Sequence, residues 1–260
     1  PAWGLFGAGV ATTITRWTMS LTLLYFVLNY KKIKIYNPQI KIGKLDYSLI
    51  KKLIHIGLPS GFQYFLEVAA FAFAAIMIGW LGKAQLAAHQ IAINLASITY
   101  MIILGISSAG TIRVGEAVGQ KNIIQIRRAG FSALGIAALL MICFGISFIL
   151  FRNFFPTLYI NEEEVIEVAS QLLIIAALFQ IFDGLQAVGI GVLRGLTDTK
   201  IPMLISFATY WVIGVPVSIL LGFYFKLGAV GIWIGLLLGL ASLGITMAFR
   251  FNTKSKFIIS

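Results

Sequence analysis

Apolar stretches of at least about 20 residues recur along this chain, and a stretch that long with few charges suits a helix crossing ~30 Å of hydrocarbon. Seven such spans are predicted, over 3–28, 55–81, 85–112, 129–151, 165–192, 201–224 and 228–249. They are continuous, and far longer than the ~10-residue alternating strands of a membrane barrel. Only 11% of the 260 residues are charged, against about 25% in soluble domains. The expected fold is all-α, a polytopic transmembrane helix bundle.

Basic residues orient it. Sixteen of the twenty Lys and Arg fall between the first and second spans or in alternate loops thereafter, and only Lys83, Arg152 and Lys226 lie in the opposite loops. Because Lys and Arg stay mostly on the cytoplasmic side, the first span is expected to enter from outside and the C-terminus to lie in the cytoplasm. The net charge of +11 is then accounted for by topology, and no nucleic-acid partner is expected. The partners expected instead are the lipid bilayer and small molecules.

The loops carry punctuation. Pro59 is expected in the first turns of the second span and Pro202 at the start of the sixth, where a missing N–H costs least. Asn161 reads as an N-cap, followed by Glu162, Glu163 and Glu164 at the positive end of a helix dipole. Seven lysines between Tyr30 and Lys52 mark a linker. The expected organisation is therefore a helix over 1–30, a basic cytoplasmic linker over 31–52, a six-helix lobe over 53–252 and a tail over 253–260. Lacking an initiator methionine, the sequence reads as the later part of a longer polypeptide.

Beyond the first few residues of each span, few charged or histidine side chains fall within them: Arg16, Glu67, His89 and Asp183. An acid at helix centre costs about 2.5–3.5 kcal/mol, so each is a functional candidate. At 1.5 Å per residue Glu67 lies ~15 Å, and Asp183 ~14 Å, from the cytoplasmic ends of their helices. They share a layer near the midplane with Tyr210, and Tyr100 lies just outward. Gln63 and Glu67 fall on one small, polar stripe of the second span, Asn94 on a polar face of the third, and Gln180 and Asp183 on a stripe of the fifth. Glu67, Asp183 and Tyr100 are the candidate proton or cation site, with Gln63, Asn94, Gln180 and Tyr210 as candidate cleft lining.

Other chemistries lack their residues. Gly231, Gly235 and Gly239 form a GxxxGxxxG ridge suited to close helix packing, without the strand–helix context of a phosphate loop. Cys143 is the single cysteine, and no His/Cys cluster or serine–histidine–aspartate arrangement is recognisable. No enzyme and no cofactor are expected.

The segments GLPSGFQYFLEVAAF (57–71), AAHQIAINLASITYMIILGISSAGTIRVGEAVGQ (87–120), FQIFDGLQAVGIGVLRGLTDTK (179–200) and YWVIGVPVSILLGF (210–223) resemble the C-terminal lobe of the multidrug and toxic compound extrusion (MATE) family, in its NorM-like branch. The resemblance implies twelve helices in two lobes around a cleft in the bacterial inner membrane. Residues 3–28 would correspond to helix six and 55–249 to helices seven to twelve. Export of cationic compounds against Na⁺ or H⁺ is implied, with the N-terminal lobe as a missing partner within the polypeptide. By the same resemblance Glu67 and Asp183 match coupling acids, able to hold Na⁺, and Tyr100 matches a tyrosine at the cation site. Phe179 departs from the pattern, standing where NorM-like proteins often have tyrosine. A flippase for lipid-linked saccharides is the alternative, although a pyrophosphate headgroup would call for cationic residues that these spans almost lack.

Overall fold

The computed structural model describes residues 3–30 and 46–257. The chain divides into two compact units, residues 1–47 and 48–260. The first contains helix α1 (Gly4–Asn29). The second contains α2, whose helix runs Tyr47–Leu81, α3 (Lys83–Gly119), α4 (Ile123–Leu150), the single turn α5 (Phe154–Thr157), α6 (Glu163–Gly195), α7 (Lys200–Tyr224) and α8 (Gly228–Phe257). Six described helices, α2, α3, α4, α6, α7 and α8, are long and apolar enough to cross a membrane.

The first expected span, 3–28, forms a helix, α1, but is not among those six. Arg16 and a scatter of threonines dilute it, and the hydroxyls of Thr13, Thr15 and Thr18 fold back onto carbonyls four residues earlier. Of the expected linker, 31–45 lies outside the described residues, as does 258–260 of the tail. Residues 47–52 belong to α2, which starts well before the predicted 55 because a membrane helix can continue into water once it has left the hydrocarbon. Pro59 consequently sits inside α2 rather than in its first turns. Helix α6 begins one residue later than the acidic cluster suggested. Glu162 takes the cap position without a side-chain bond, Glu163 and Glu164 occupy the first turn, and Asn161 is not the cap. The cap that does form is Asn122, accepting from the Gln125 N–H at 3.1 Å at the start of α4.

Helix α6 is the hub of the second unit, packing against α3, α4 and α8. Small residues allow this. A Cβ on Gly195 would sit 2.7 Å from the Thr111 carbonyl oxygen, and one on Gly145 2.7 Å from that of Ala177. Hydroxyls tie the same seam, with Ser107 donating to the Ala187 carbonyl and Thr111 to that of Gly191, each at 2.7 Å. The turn after α6 is anchored by Asp198, which receives Arg250 of α8 at 2.8 Å and is itself nearly enclosed. Breaking such a pair strands a carboxylate. Arg250→Gln is expected to lower stability by about 2–3 kcal/mol, read as a lower thermal unfolding midpoint of the detergent-solubilised protein.

Helix α7 is not regular. Lys200–Phe207 and Val215–Ile219 are α-helical, while Ala208–Gly214 and Leu220–Tyr224 are π-helical. Pro216 has no N–H for the carbonyl of Val212, and the preceding turn widens to accommodate its ring.

Helix α2 is the exception to close packing, since the main helix–helix contacts do not include it. Aromatic side chains hold it instead. Phe71 meets Phe179 and Tyr210 edge-on at 5.9 and 6.2 Å, Phe73 meets Trp211 at 6.2 Å, and Trp80 meets Phe223 at 6.2 Å. The Trp211 indole N–H donates to the Leu66 carbonyl at 3.2 Å. Beside these contacts the small residues Ala70 and Ala74 of α2 are fully buried.

Candidate functional site

Two cavities lie beside α2. The first, about 350 Å³, is lined by Tyr64, Glu67, Phe71, Tyr100, Phe179 and Asp183, with Ser97 and Met101 on its α3 side. The second, about 430 Å³, is lined by Ser60, Gln63, Glu67, Tyr100, Gln186 and Arg194, among others. Glu67, Tyr100 and Tyr64 line both. Three helices thus present two carboxylates and a phenol to one place: Glu67 from α2, Tyr100 from α3 and Asp183 from α6.

Local sequence explains each placement. Gln63, Glu67, Ala70 and Ala74 form the buried stripe of α2, with spacings of three and four residues that keep them on one face. Asp183 follows Phe179 by one helical turn, so the ring and the carboxylate look into the same cavity. Both acids are buried, at 9% exposure for Glu67 and 6% for Asp183. Both face the first cavity. Among the described residues the ion pairs are Arg113–Glu116 and Arg250–Asp198, and neither Glu67 nor Asp183 has a basic partner.

Buried carboxylates without a base must be compensated by a proton or a cation. Their oxygens and the Tyr100 hydroxyl form an all-oxygen donor set, which suits a hard monovalent ion, a proton or the ammonium group of an organic cation. The aromatic rings of Phe71, Phe179 and Tyr64 around them add faces that attract cations. Among the described residues no cluster of three or more His, Cys, Asp or Glu has metal-binding geometry.

The four residues expected to line the cleft separate. Gln63 lines the second cavity. Gln180 does not line either; it is buried against α3, donating to the Thr99 hydroxyl at 2.8 Å and accepting from it at 3.0 Å. Asn94 is exposed and accepts from the Tyr159 hydroxyl at 2.9 Å. Tyr210 is fully buried and lines neither cavity, its hydroxyl donating to Gln186 at 3.3 Å. Each of these three side chains is thus hydrogen-bonded to another residue and lines neither cavity. His89 is likewise enclosed, accepting the Trp233 indole N–H on Nδ1 at 3.1 Å. Arg16 lies in the other unit and is exposed.

Two further polar residues of α6 line the second cavity: Gln186, which continues the polar stripe of Gln180 and Asp183 and is fully buried with an unpartnered amide nitrogen, and Arg194, near the basic end of the helix. Gln186, Ile190 and Arg194 succeed one another at intervals of four along α6 and all line the second cavity. Continuing the stripe beyond Gln186 by this spacing reaches Arg194 at the helix end.

Known proteins converge on one family. The MatE family profile matches residues 59–220. The multidrug resistance protein NorM of Burkholderia vietnamiensis is 38% identical over 100% of this chain and 57% of its own length. The multidrug resistance protein MdtK of Proteus mirabilis is 38% identical over 96% of this chain and 56% of its own length. The crystal structure of the eukaryotic MATE transporter AtDTX14 superposes with a TM-score of 0.86 at 25% identity, covering 97% of this chain and 58% of that one. An outward-facing multidrug resistance MATE transporter shares the fold, with a TM-score of 0.86 at 20% identity over 98% of this chain and 57% of its own. The chain therefore spans a little over half the length of the relatives it matches, corresponding to their C-terminal half. Six apolar helices and this kinship make it a multi-pass protein of the bacterial inner membrane. The chain belongs to the MATE family of transporters, on its NorM-like side.

Proposed function

We propose that this chain is the C-terminal, ion-coupling half of an exporter that expels cationic drugs and toxic organic compounds in exchange for Na⁺ or H⁺. The observation that carries the reading is the pair of buried, base-free acids on α2 and α6 sharing one cavity with Tyr100. The remainder of the polypeptide is read as the second lobe, closing the cleft and rocking against this one.

The proposed cycle is competition for oxygen atoms. A proton or Na⁺ arriving from outside neutralises Glu67 and Asp183, and the organic cation loses its counter-charge and leaves. Loss of that ion to the cytoplasm restores the negative charge and the affinity for the next drug molecule. Each ligand biases the lobes toward the state in which it is held better, which suffices for exchange.

The test is efflux of a fluorescent cation from vesicles carrying the full polypeptide, under an imposed Na⁺ gradient or an imposed pH gradient. Efflux under neither gradient would exclude coupled antiport. Phe179 supplies a finer prediction. It lines the cavity one turn from Asp183 but carries no oxygen, so Phe179→Tyr offers a further ligand. The variant is expected to need several-fold less Na⁺ for half-maximal efflux, measured by titrating Na⁺ at fixed pH, if Na⁺ is the coupling ion.

A further inference from the structure

A third cavity, about 570 Å³, lies apart from the acids, between the facing ends of α3 and α4. Its lining is divided along its length. Arg113, Glu116, Gln125 and Arg128 stand at the end nearest the α3–α4 turn, while Ile106, Ala109, Ala133 and Ile136 lie further along both helices. From Arg113 to Ile106 and from Arg128 to Ile136 is seven or eight residues, about 10–12 Å of helix rise. The groove thus runs from a basic mouth at the Lys/Arg-rich ends of the spans into the depth of the hydrocarbon.

The packing makes the groove a built feature. At Gly110 the helices close up, since a Cβ there would sit 3.0 Å from that of Ala133 and 3.3 Å from Val192. Arg127, the neighbour of Arg128, is turned away onto α8, where it donates to the Asn252 carbonyl at 3.1 Å and the Ser255 hydroxyl at 3.0 Å. Arg128 lines the groove, is exposed, and has no ion pair among the described residues. Arg113 holds Glu116 at 3.0 Å, so two arginines against one carboxylate leave the mouth net positive. Guanidinium groups bind phosphate oxygens in a bidentate manner, and a basic pocket between helices at this level of a bilayer meets the anionic headgroups of the leaflet.

We propose that this groove is a binding site for an anionic phospholipid, with its phosphodiester on Arg128 and Arg113 and the upper part of an acyl chain along Ile106, Ala133 and Ile136. A soluble anion would leave the apolar length of the groove unfilled, and a zwitterionic lipid would leave the net positive charge of the mouth unmatched. Both match an anionic lipid.

The test uses the full polypeptide in phosphatidylcholine nanodiscs with or without phosphatidylglycerol, and native mass spectrometry to count retained lipid. Wild type is expected to retain phosphatidylglycerol selectively. Arg113→Gln with Arg128→Gln should weaken that retention roughly thirtyfold, from about a fivefold contribution by each basic group, while Arg152→Gln, which removes a charge from an opposite loop, should not. A photoreactive residue at Ile136, with both arginines intact, should crosslink to lipid. Equal retention by the double variant, or equal retention of phosphatidylcholine, overturns the proposal. So does a crosslink from Ile136 to another segment of the polypeptide, which would mean that protein covers the groove.

Discussion

Glu67→Gln should abolish gradient-driven export of a fluorescent cation, lowering it at least ~10-fold toward the level of vesicles without transporter, while leaving the protein as stable as before or more so. The two effects have one cause. A buried carboxylate without a base is expensive to hold in the membrane, by about 2.5–3.5 kcal/mol, and no ion pair among the described residues offsets this for Glu67. The amide has nearly the same shape and removes the charge, so folding gains what coupling loses. A residue kept for packing would behave in the opposite way, with lower stability and residual transport. Asp183→Asn should act alike because it faces the same cavity. The double variant should be hardly worse than either single one, since groups that work as one site are not additive. Export at the wild-type rate in either single variant would remove the acids from the mechanism. The readouts are initial efflux rate and thermal unfolding midpoint on the same preparations.

Depth along a helix was legible in the sequence, whereas direction around it was legible only in part. Counting 1.5 Å per residue from the basic ends set Glu67 and Asp183 in one layer, and both line one cavity. The same count set Tyr210 beside them, yet it lines neither cavity and is buried against Phe71 and Gln186. Tyr210 lies on the π-helical stretch Ala208–Gly214, and a wider turn changes the rotation per residue on which face-reading depends. Gln180 shows a different limit. It lies on the same helix as Asp183 and only three residues away, but its amide finds the Thr99 hydroxyl on α3 and is used up there. Periodicity selects a face about 100° wide; which side chain on that face meets a neighbour and which meets a void depends on packing between helices. The voids beside α2 lie between helices, and no property of a single helix encodes them. Helix ends were the least legible feature, because hydropathy reports where a helix leaves lipid, whereas the helix itself continues until its hydrogen bonds are capped.

The glycine ridge of α8 gives the sharpest test of packing, since the same substitution should change sign with position. Gly231, Gly235 and Gly239 all face α7. A Cβ on Gly231 would lie 2.6 Å from the Leu221 carbonyl oxygen, one on Gly239 2.8 Å from that of Thr209, and one on Gly235 would overlap the backbone nitrogen and hydroxyl of Ser218. The obstruction is backbone, which no rotamer change relieves. Ser218 is fixed further by donating its hydroxyl to the Ile232 carbonyl at 2.9 Å. Inserting a methyl into such a contact costs about 1–3 kcal/mol, and more where the chain cannot shift. Gly235→Ala is therefore expected to lower stability by about 3 kcal/mol, or roughly 6–12 °C in unfolding midpoint for a unit of this size. At Gly135 on α4 nothing lies within 4 Å of a new Cβ, and alanine's higher helix propensity, worth about 1 kcal/mol, should leave that variant unchanged or slightly more stable. Both midpoints can be read by fluorescence on the detergent-solubilised protein. Equal shifts in the two variants would mean that α8 does not pack on α7 through this ridge, and with it would go the close contact that holds the π-helical α7, and Trp211 on it, against α2.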